Sequence, residues 1–212
     1  TSKTIGNLAV SVENFLLKRV SLSVAVSPEI HSYLTELRGE SQVQLIPNYP
    51  VVQIEKIAQE AARSKLGWNK GDFIIVHTGN MGAKQDLINV INATREIKFD
   101  PRIQIYLIGH GNQEKLLVEA SKSLENVSIL PSVSEDLYPY VLAAADLLLV
   151  HERESQVDMS LPSKLNSYLQ ASRAILAAVP SNGATANYLG TTAIYVEPSN
   201  PKALASKLVE LS

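Results

Sequence analysis

From residue 73 onward, short runs of Val, Ile and Leu alternate with segments whose apolar residues recur every three to four positions. This alternation is the strongest constraint on the fold. Phe73-Ile74-Ile75-Val76 and Leu147-Leu148-Leu149-Val150 are apolar at successive positions, so strands built from them need cover on both faces. Strands of that kind, separated by helices of about three turns, specify an α/β fold with a doubly wound parallel sheet and right-handed crossovers. The spacing predicts strands at 73–78, 103–108, 127–130, 146–150, 174–179 and 193–196. Helices are predicted at 53–66, 83–97, 112–123, 134–144, 163–171, 183–189 and 201–211.

The first part of the chain has the same character on a smaller scale. Ile5, Leu8, Ala9, Val12 and Leu16 mark an amphipathic helix over 4–19, and residues 22–26 form a β-prone run. Ser27 precedes Pro28, the arrangement of an N-cap followed by proline at the first helical position, and that helix ends near Gly39. A further strand at 43–46 is stopped by Pro47-Asn48-Tyr49-Pro50. Two prolines within four residues favour extended backbone, which makes this stretch the domain boundary and divides the chain into 1–47 and 48–212.

Composition excludes several classes. The 212 residues are 45% hydrophobic and 19% charged, enough to bury a core. A formal net charge of −2 argues against a nucleic-acid surface. The chain has no cysteine, which removes disulfides and thiolate metal sites. No apolar run approaches the roughly 20 residues of a membrane span. The opening segment lacks the features of a signal peptide, and a start at Thr1 fits a processed chain or a fragment.

In an open parallel sheet, ligands bind beyond the carboxyl ends of the strands. Three connections there are unusual. In the first, Gly79, Asn80, Met81 and Gly82 lead to Lys84. Glycines permit close backbone approach, and a following helix offers N–H groups to an anion that Lys84 would also attract. The plain alternative is a tight turn with a solvated lysine. The second is Gly109-His110-Gly111, which lacks the third glycine of a dinucleotide fingerprint and reads His110 as a loop side chain. The third runs from His151 to Leu161 and ends in Pro162-Ser163-Lys164, with Ser160 as candidate cap. His151-Glu152-Arg153-Glu154 reads as a solvated loop, weak as a metal site. No Gly-x-Ser-x-Gly elbow or Walker loop is present.

Taken in order, these segments resemble family 4 (group 1) glycosyltransferases of the GT-B fold, most closely the colanic-acid and exopolysaccharide type. Leu45-Ile46-Pro47-Asn48 resembles the crossing between the two domains, and Gly79-Asn80-Met81-Gly82-Ala83-Lys84-Gln85 the donor loop. Gly109-His110-Gly111, Val127 to Pro131, Ala144-Ala145-Asp146 and Pro162-Ser163-Lys164-Leu165 resemble the later motifs. The resemblance implies a Rossmann-like carboxyl-terminal domain holding a UDP-sugar or GDP-sugar, with a remnant of the amino-terminal acceptor domain in 1–47. The chain would then be a fragment inactive by itself.

Under that resemblance, Lys84 is the chief catalytic cation for the diphosphate leaving group. Gly79, Asn80, Gly82, Gly109, Gly111, Ser163 and Lys164 surround the nucleotide, with Lys164 equally readable as a surface side chain. Leu130 and Pro131 flank the base, and Ser167 stands at the ribose. Neither a metal nor any other cofactor is implied. The acceptor hydroxyl, on a sugar or lipid-linked sugar, would be bound by the remainder of a cytoplasmic enzyme that can associate with the inner face of the membrane. Four features depart from the family pattern: Ser167 replaces a glutamate, Ser172-Arg173-Ala174 replaces Gly-x-Pro, Asn80 occupies a position that is often basic, and Lys84 is displaced by one position from the commoner spacing, although it fits the subgroup. Ser167 and Ser172 favour the rival reading, a non-catalytic nucleotide-binding or interaction module of the same fold. A sugar-nucleotide epimerase lacks its acidic cluster here, and a nicotinamide dehydrogenase lacks its fingerprint.

Overall fold

The computed structural model describes residues 2–48, 56–97, 100–155 and 161–212, which form two compact units. The smaller contains α1 (Ser2–Leu17), β1 (Ser23–Ala25), α2 (Pro28–Arg38) and β2 (Val43–Leu45), with β1 and β2 parallel. Ser27 caps α2 as its sequence indicates, accepting from Ile30 N at 3.2 Å, with Pro28 at the first helical position. Ala25, Leu34 and Val43 form a small core against Leu17 and Ile30. Tyr49 and Pro50 of the proposed boundary lie outside the described residues.

The larger unit is a six-stranded sheet in the order β5-β4-β3-β6-β7-β8, parallel at every pairing. The strands are β3 (Phe73–Asn80), β4 (Ile103–His110), β5 (Val127–Leu130), β6 (Leu147–His151), β7 (Ala174–Ala178) and β8 (Ile194–Val196). The helices are α3 (Gln59–Leu66), α4 (Leu87–Glu96), α5 (Glu114–Ser121), α6 (Tyr138–Ala144), α7 (Lys164–Gln170), α8 (Ala184–Leu189) and α9 (Pro201–Leu211). One face of the sheet, through Ile75, Ile105, Leu107, Leu149 and Leu176, packs on α4, α5 and α9. Alternation sends Ile74, Val76, Leu148 and Val150 to the other face, and all four are buried. The doubly wound α/β expectation is met, and strand apolarity on both faces is its cause.

Several boundaries differ from the sequence expectation. Helix 53–66 contracts to Gln59–Leu66, with Ala58 extended (φ −62°, ψ 132°) and residues 53–55 outside the described set. Its start is fixed by Gln59, whose side-chain amide donates to Ala145 O (3.0 Å) and Asp146 Oδ1 (2.8 Å). Strands β3 and β4 each run two residues beyond their apolar cores, with Gly79 paired to Gly109 and Asn80 to His110. Helix 83–97 is split into a 3₁₀ turn at Ala83–Gln85 and α4, separated by Asp86 in the left-handed region (φ 45°).

One ionic network sets the amino-terminal edge of the sheet. Asp146 Oδ2 accepts from Arg63 Nη2 at 2.5 Å and from Ile74 N at 2.7 Å. Arg63 also donates to the carbonyls of Ala144, Lys70 and Asp72. Charged groups this far from water persist only when fully partnered. Asp146→Asn leaves the Arg63 charge without its counter-ion. It should cost about 3 kcal/mol in urea unfolding, the low end for a buried pair because Asp146 keeps a quarter of its side chain exposed.

Candidate functional site

The strand order reverses between β3 and β6: the chain proceeds from β3 outward through β4 and β5, then returns to continue through β6, β7 and β8. The crevice at the carboxyl ends of this pair is where an open sheet of this kind binds ligands. Gly79 and Asn80 end β3 there, His151 ends β6, and Lys164 opens α7.

Two of the glycines have a structural cause that involves no ligand. Gly109 adopts φ 150°, and a Cβ on it would lie 1.8 Å from Gly79 O. A Cβ on Gly111 would lie 2.4 Å from Met81 O. The exits of β3 and β4 are therefore pressed together backbone to backbone. Met81 N donates to His110 O (2.7 Å), and Gly82 N to Gln85 Oε1 (3.2 Å). The amides expected to meet an anion at Met81 and Gly82 are thus satisfied inside the protein.

Lys84 is exposed on the 3₁₀ turn, and its carbonyl accepts from Arg153 N at 2.8 Å, tying the turn to the segment after β6. Lys164 is half-buried and comes to Gly79. A Cβ there would stand 3.8 Å from its Cε and 3.9 Å from its Nζ. The Lys164 amine lies 3.1 Å from His77 Nε2 and 3.4 Å from Nδ1. Burial lowers its pKa from 10.5 to about 7, against the attraction of Glu152. The surface-side-chain reading of Lys164 is set aside by this placement.

Beneath the crevice lie two buried histidines: His77, which no sequence motif includes, and His151, which the sequence reading assigns to a solvated loop. His77 Nδ1 is 3.2 Å from Leu149 O, a carbonyl that can only accept, and the Asn80 backbone also bonds the ring. His151 Nδ1 donates to Gln85 O (2.9 Å), and its Nε2 accepts from Asn89 Nδ2 (2.8 Å). Burial holds the His77 pKa well below 6.5, helped by the Lys164 charge, and lowers that of His151 to about 4. His151 corrects the expectation of a solvated loop at this point, because it is 1% exposed and ends a central strand. The following Glu152 accepts from Thr185 Oγ1 at 2.7 Å. The signal for His77 was present in the sequence: a polar residue directly after Ile74-Ile75-Val76 in a central strand.

The other expected residues are more scattered. Thr78 N donates to the Tyr168 hydroxyl (2.8 Å), which fastens α7 to β3. Ser163 is exposed, has helical dihedrals and makes no side-chain cap, and Ser160 lies outside the described residues. Ser167 is half-buried within α7. Ser172 keeps a left-handed backbone (φ 53°) at the position where the resemblance has glycine. Leu130 is half-buried and Pro131 exposed at the end of β5, two strands from β3. His110 is exposed and bonds Glu114 Oε2 at 3.1 Å, as a loop side chain would.

A separate concavity of about 780 Å³ lies beside the ends of β7 and β8, lined in part by Pro180, Asn182, Asn187 and Tyr195. Glu154 and Glu197 stand in its wall with no lysine or arginine among its described lining, a poor match for a diphosphate. Among the described residues no three His, Asp or Glu side chains group as metal ligands.

The buried histidines generate a pH prediction. Each binds fewer protons in the folded than in the unfolded state between its lowered pKa and 6.5, so stability rises with pH in that window. Unfolding free energy should fall as pH drops from 6.5 towards 4. His151→Gln should flatten that fall in urea titrations across the window, and an equally steep fall in the variant contradicts the assignment.

Comparison with known proteins places this geometry. Residues 72–212 match the family model described as Glycosyl transferases group 1. Over 173 residues the chain is 29% identical to WcaI of Escherichia coli (strain K12), a protein named for glycosyl transfer in colanic acid biosynthesis. That match takes in 77% of this chain and 42% of WcaI, so the chain spans less than half of this curated relative. The fold is similar to that of Anabaena Alr3699/HepE, at a TM-score of 0.78 and 18% identity over 99% of this chain and 59% of that one. It is also similar to sucrose-phosphate synthase of Thermosynechococcus elongatus, at 0.73 and 16% over 97% and 52%. With two thirds of its length matched by the family model and its sheet shared with these GT-B structures, the chain belongs to the group 1 glycosyltransferases.

Proposed function

We propose that residues 48–212 form the donor half of a glycosyltransferase, binding a nucleoside diphosphate sugar in the crevice between β3 and β6. Residues 1–47 are then the tail of the acceptor-side domain. The observation that carries this reading is the Lys164 amine held at Gly79, at the point where strand order reverses. Lys84 adds a second cation on the neighbouring turn.

In the reaction, the bond from the anomeric carbon to the diphosphate breaks as a hydroxyl attacks. The barrier falls where charge developing on the leaving oxygen meets fixed positive charge in a crevice of low dielectric. Lys84 and Lys164 supply that charge, so the step needs no metal. Gly79 and Asn80 lie beside the diphosphate, and Gly82 shapes the turn that presents Lys84. Gly109 and Gly111 draw the β4 exit close to the crevice. Ser163 and Ser167 lie along α7 towards the ribose, and Leu130 with Pro131 borders the base. HepE was solved with UDP-glucose, which supports a uridine nucleotide, and GDP is the second candidate.

The acceptor is a sugar or lipid-linked sugar held mainly by the rest of the enzyme. The likeness to WcaI supports a role in exopolysaccharide synthesis. Among the described residues no helix is long and apolar enough to cross a membrane. Work in the cytoplasm, at the inner face of the membrane, suits a lipid-linked acceptor.

Isothermal titration with UDP and GDP, and with NAD as control, tests the reading. One nucleoside diphosphate should bind, and Lys84→Ala should weaken it by about tenfold or more, as loss of one charge-assisted hydrogen bond predicts. Unchanged affinity in Lys84→Ala makes that lysine a bystander. Binding of none of the three favours a non-catalytic module of the same fold.

A further inference from the structure

We infer that His77 is a positioning residue, whose buried neutral imidazole accepts a hydrogen bond from Lys164 and holds that amine at Gly79 for an anionic ligand. The inference rests on the donor-site reading and adds a residue outside every motif that led to it.

Three observations support it. His77 is wholly buried at the carboxyl end of the central strand, a costly place for a histidine unless both ring nitrogens are used. Both are: Nδ1 lies 3.2 Å from Leu149 O, Nε2 lies 3.1 Å from the Lys164 amine, and the Asn80 backbone also bonds the ring. The contact also brings together residues 87 positions apart, the first on β3 and the second opening α7. A lysine at a helix start without this acceptor would extend into solvent, as long cationic side chains do.

The electrostatic surroundings make the held amine responsive to a ligand. The groups acting on it are His77 from β3, His151 from β6 and Glu152 from the segment that follows. Asp86 acts on His151 from the turn before α4, and Tyr138 and Tyr168 meet Thr78 beside His77. Burial keeps both rings and the Tyr168 hydroxyl neutral, so Glu152 is the one attraction resolved for the ammonium. With its pKa near 7, Lys164 is largely unprotonated at pH 8, and a diphosphate arriving there draws a proton onto it. Nucleotide binding is therefore accompanied by proton uptake. In the His77→Leu variant the side chain swings out, regains its ordinary protonation and takes up nothing.

The test is calorimetric titration of UDP and GDP at pH 8, in two buffers of different ionisation enthalpy, on the unaltered chain, His77→Leu and His77→Gln. The nucleotide phosphate is itself fully ionised at that pH. The unaltered chain should take up about one proton on binding. His77→Leu should bind about tenfold more weakly with uptake near zero. His77→Gln, which keeps an acceptor, should restore both. Equal affinity and equal uptake in His77→Leu overturns the inference, as does binding without uptake by the unaltered chain.

A second measurement needs neither a ligand nor a leucine variant that folds. The ¹⁵N resonance of the Lys164 side chain should titrate near pH 7 in the free protein, and a midpoint near 10.5 overturns the contact. Absence of UDP and GDP binding with a midpoint near 7 overturns the donor-site reading and leaves the His77–Lys164 contact standing.

Discussion

Everything at the crevice depends on how β3 is held against β6, and that pairing is short. Only Ile75 with Leu147 and Val76 with Leu148 are in register across it. The ladder is closed at its amino end by Asp146, whose carboxylate takes the Ile74 amide and the Arg63 guanidinium together. At its carboxyl end it is closed by His77 against Leu149 O. From α3, Arg63 reaches the turn after that helix, the end of α6 and Asp146 through four acceptors, so one buried cation orders the edge from which both central strands set out. Two strands fixed at one end by an ion pair and at the other by a neutral ring present their exits at a defined separation, which a ligand crevice requires.

The chemistry of the crevice follows from what is charged and what is not. His77 and His151 are kept neutral by burial, and the same burial brings the pKa of Lys164 down to about 7. Positive charge placed over a neutral, hydrogen-bonded floor acts through little water and is screened weakly. The cavity beside β7 and β8 has the opposite character, with Glu154 and Glu197 in its wall. That cavity has room for a ligand, but its acidic wall suits a diphosphate less well than the lysines beside β3 and β6.

Much of the fold was legible because burial on both faces leaves an unmistakable pattern in runs such as Ile74-Ile75-Val76 and Leu147-Leu148-Leu149-Val150. The pattern fails where tertiary contacts replace it. Strand β3 continues through His77, Thr78, Gly79 and Asn80, residues of modest β propensity that are held by pairing with β4. Gly109 and Gly111 were read as room for a nucleotide, yet their first duty is to let two backbones meet. His151 reads as a loop residue because Glu152, Arg153 and Glu154 follow it, whereas its burial is decided by Asn89 on α4 and Gln85 on the preceding turn. Lys164 was legible as a candidate through the Pro162-Ser163-Lys164-Leu165 resemblance. Its partner was not, since no local pattern links position 77 to position 164.

Under the proposed function, an anionic nucleotide sits in the crevice between β3 and β6, beside the exit of β4 and the start of α7. Amide chemical-shift mapping of the isotopically labelled chain during addition of UDP tests it most directly. Gly79, Asn80, Gly109 and Lys164 should shift together and saturably, while Tyr195 and Glu197 stay still. Shifts centred on Tyr195 and Glu197, with Gly79 and Lys164 unmoved, would contradict it.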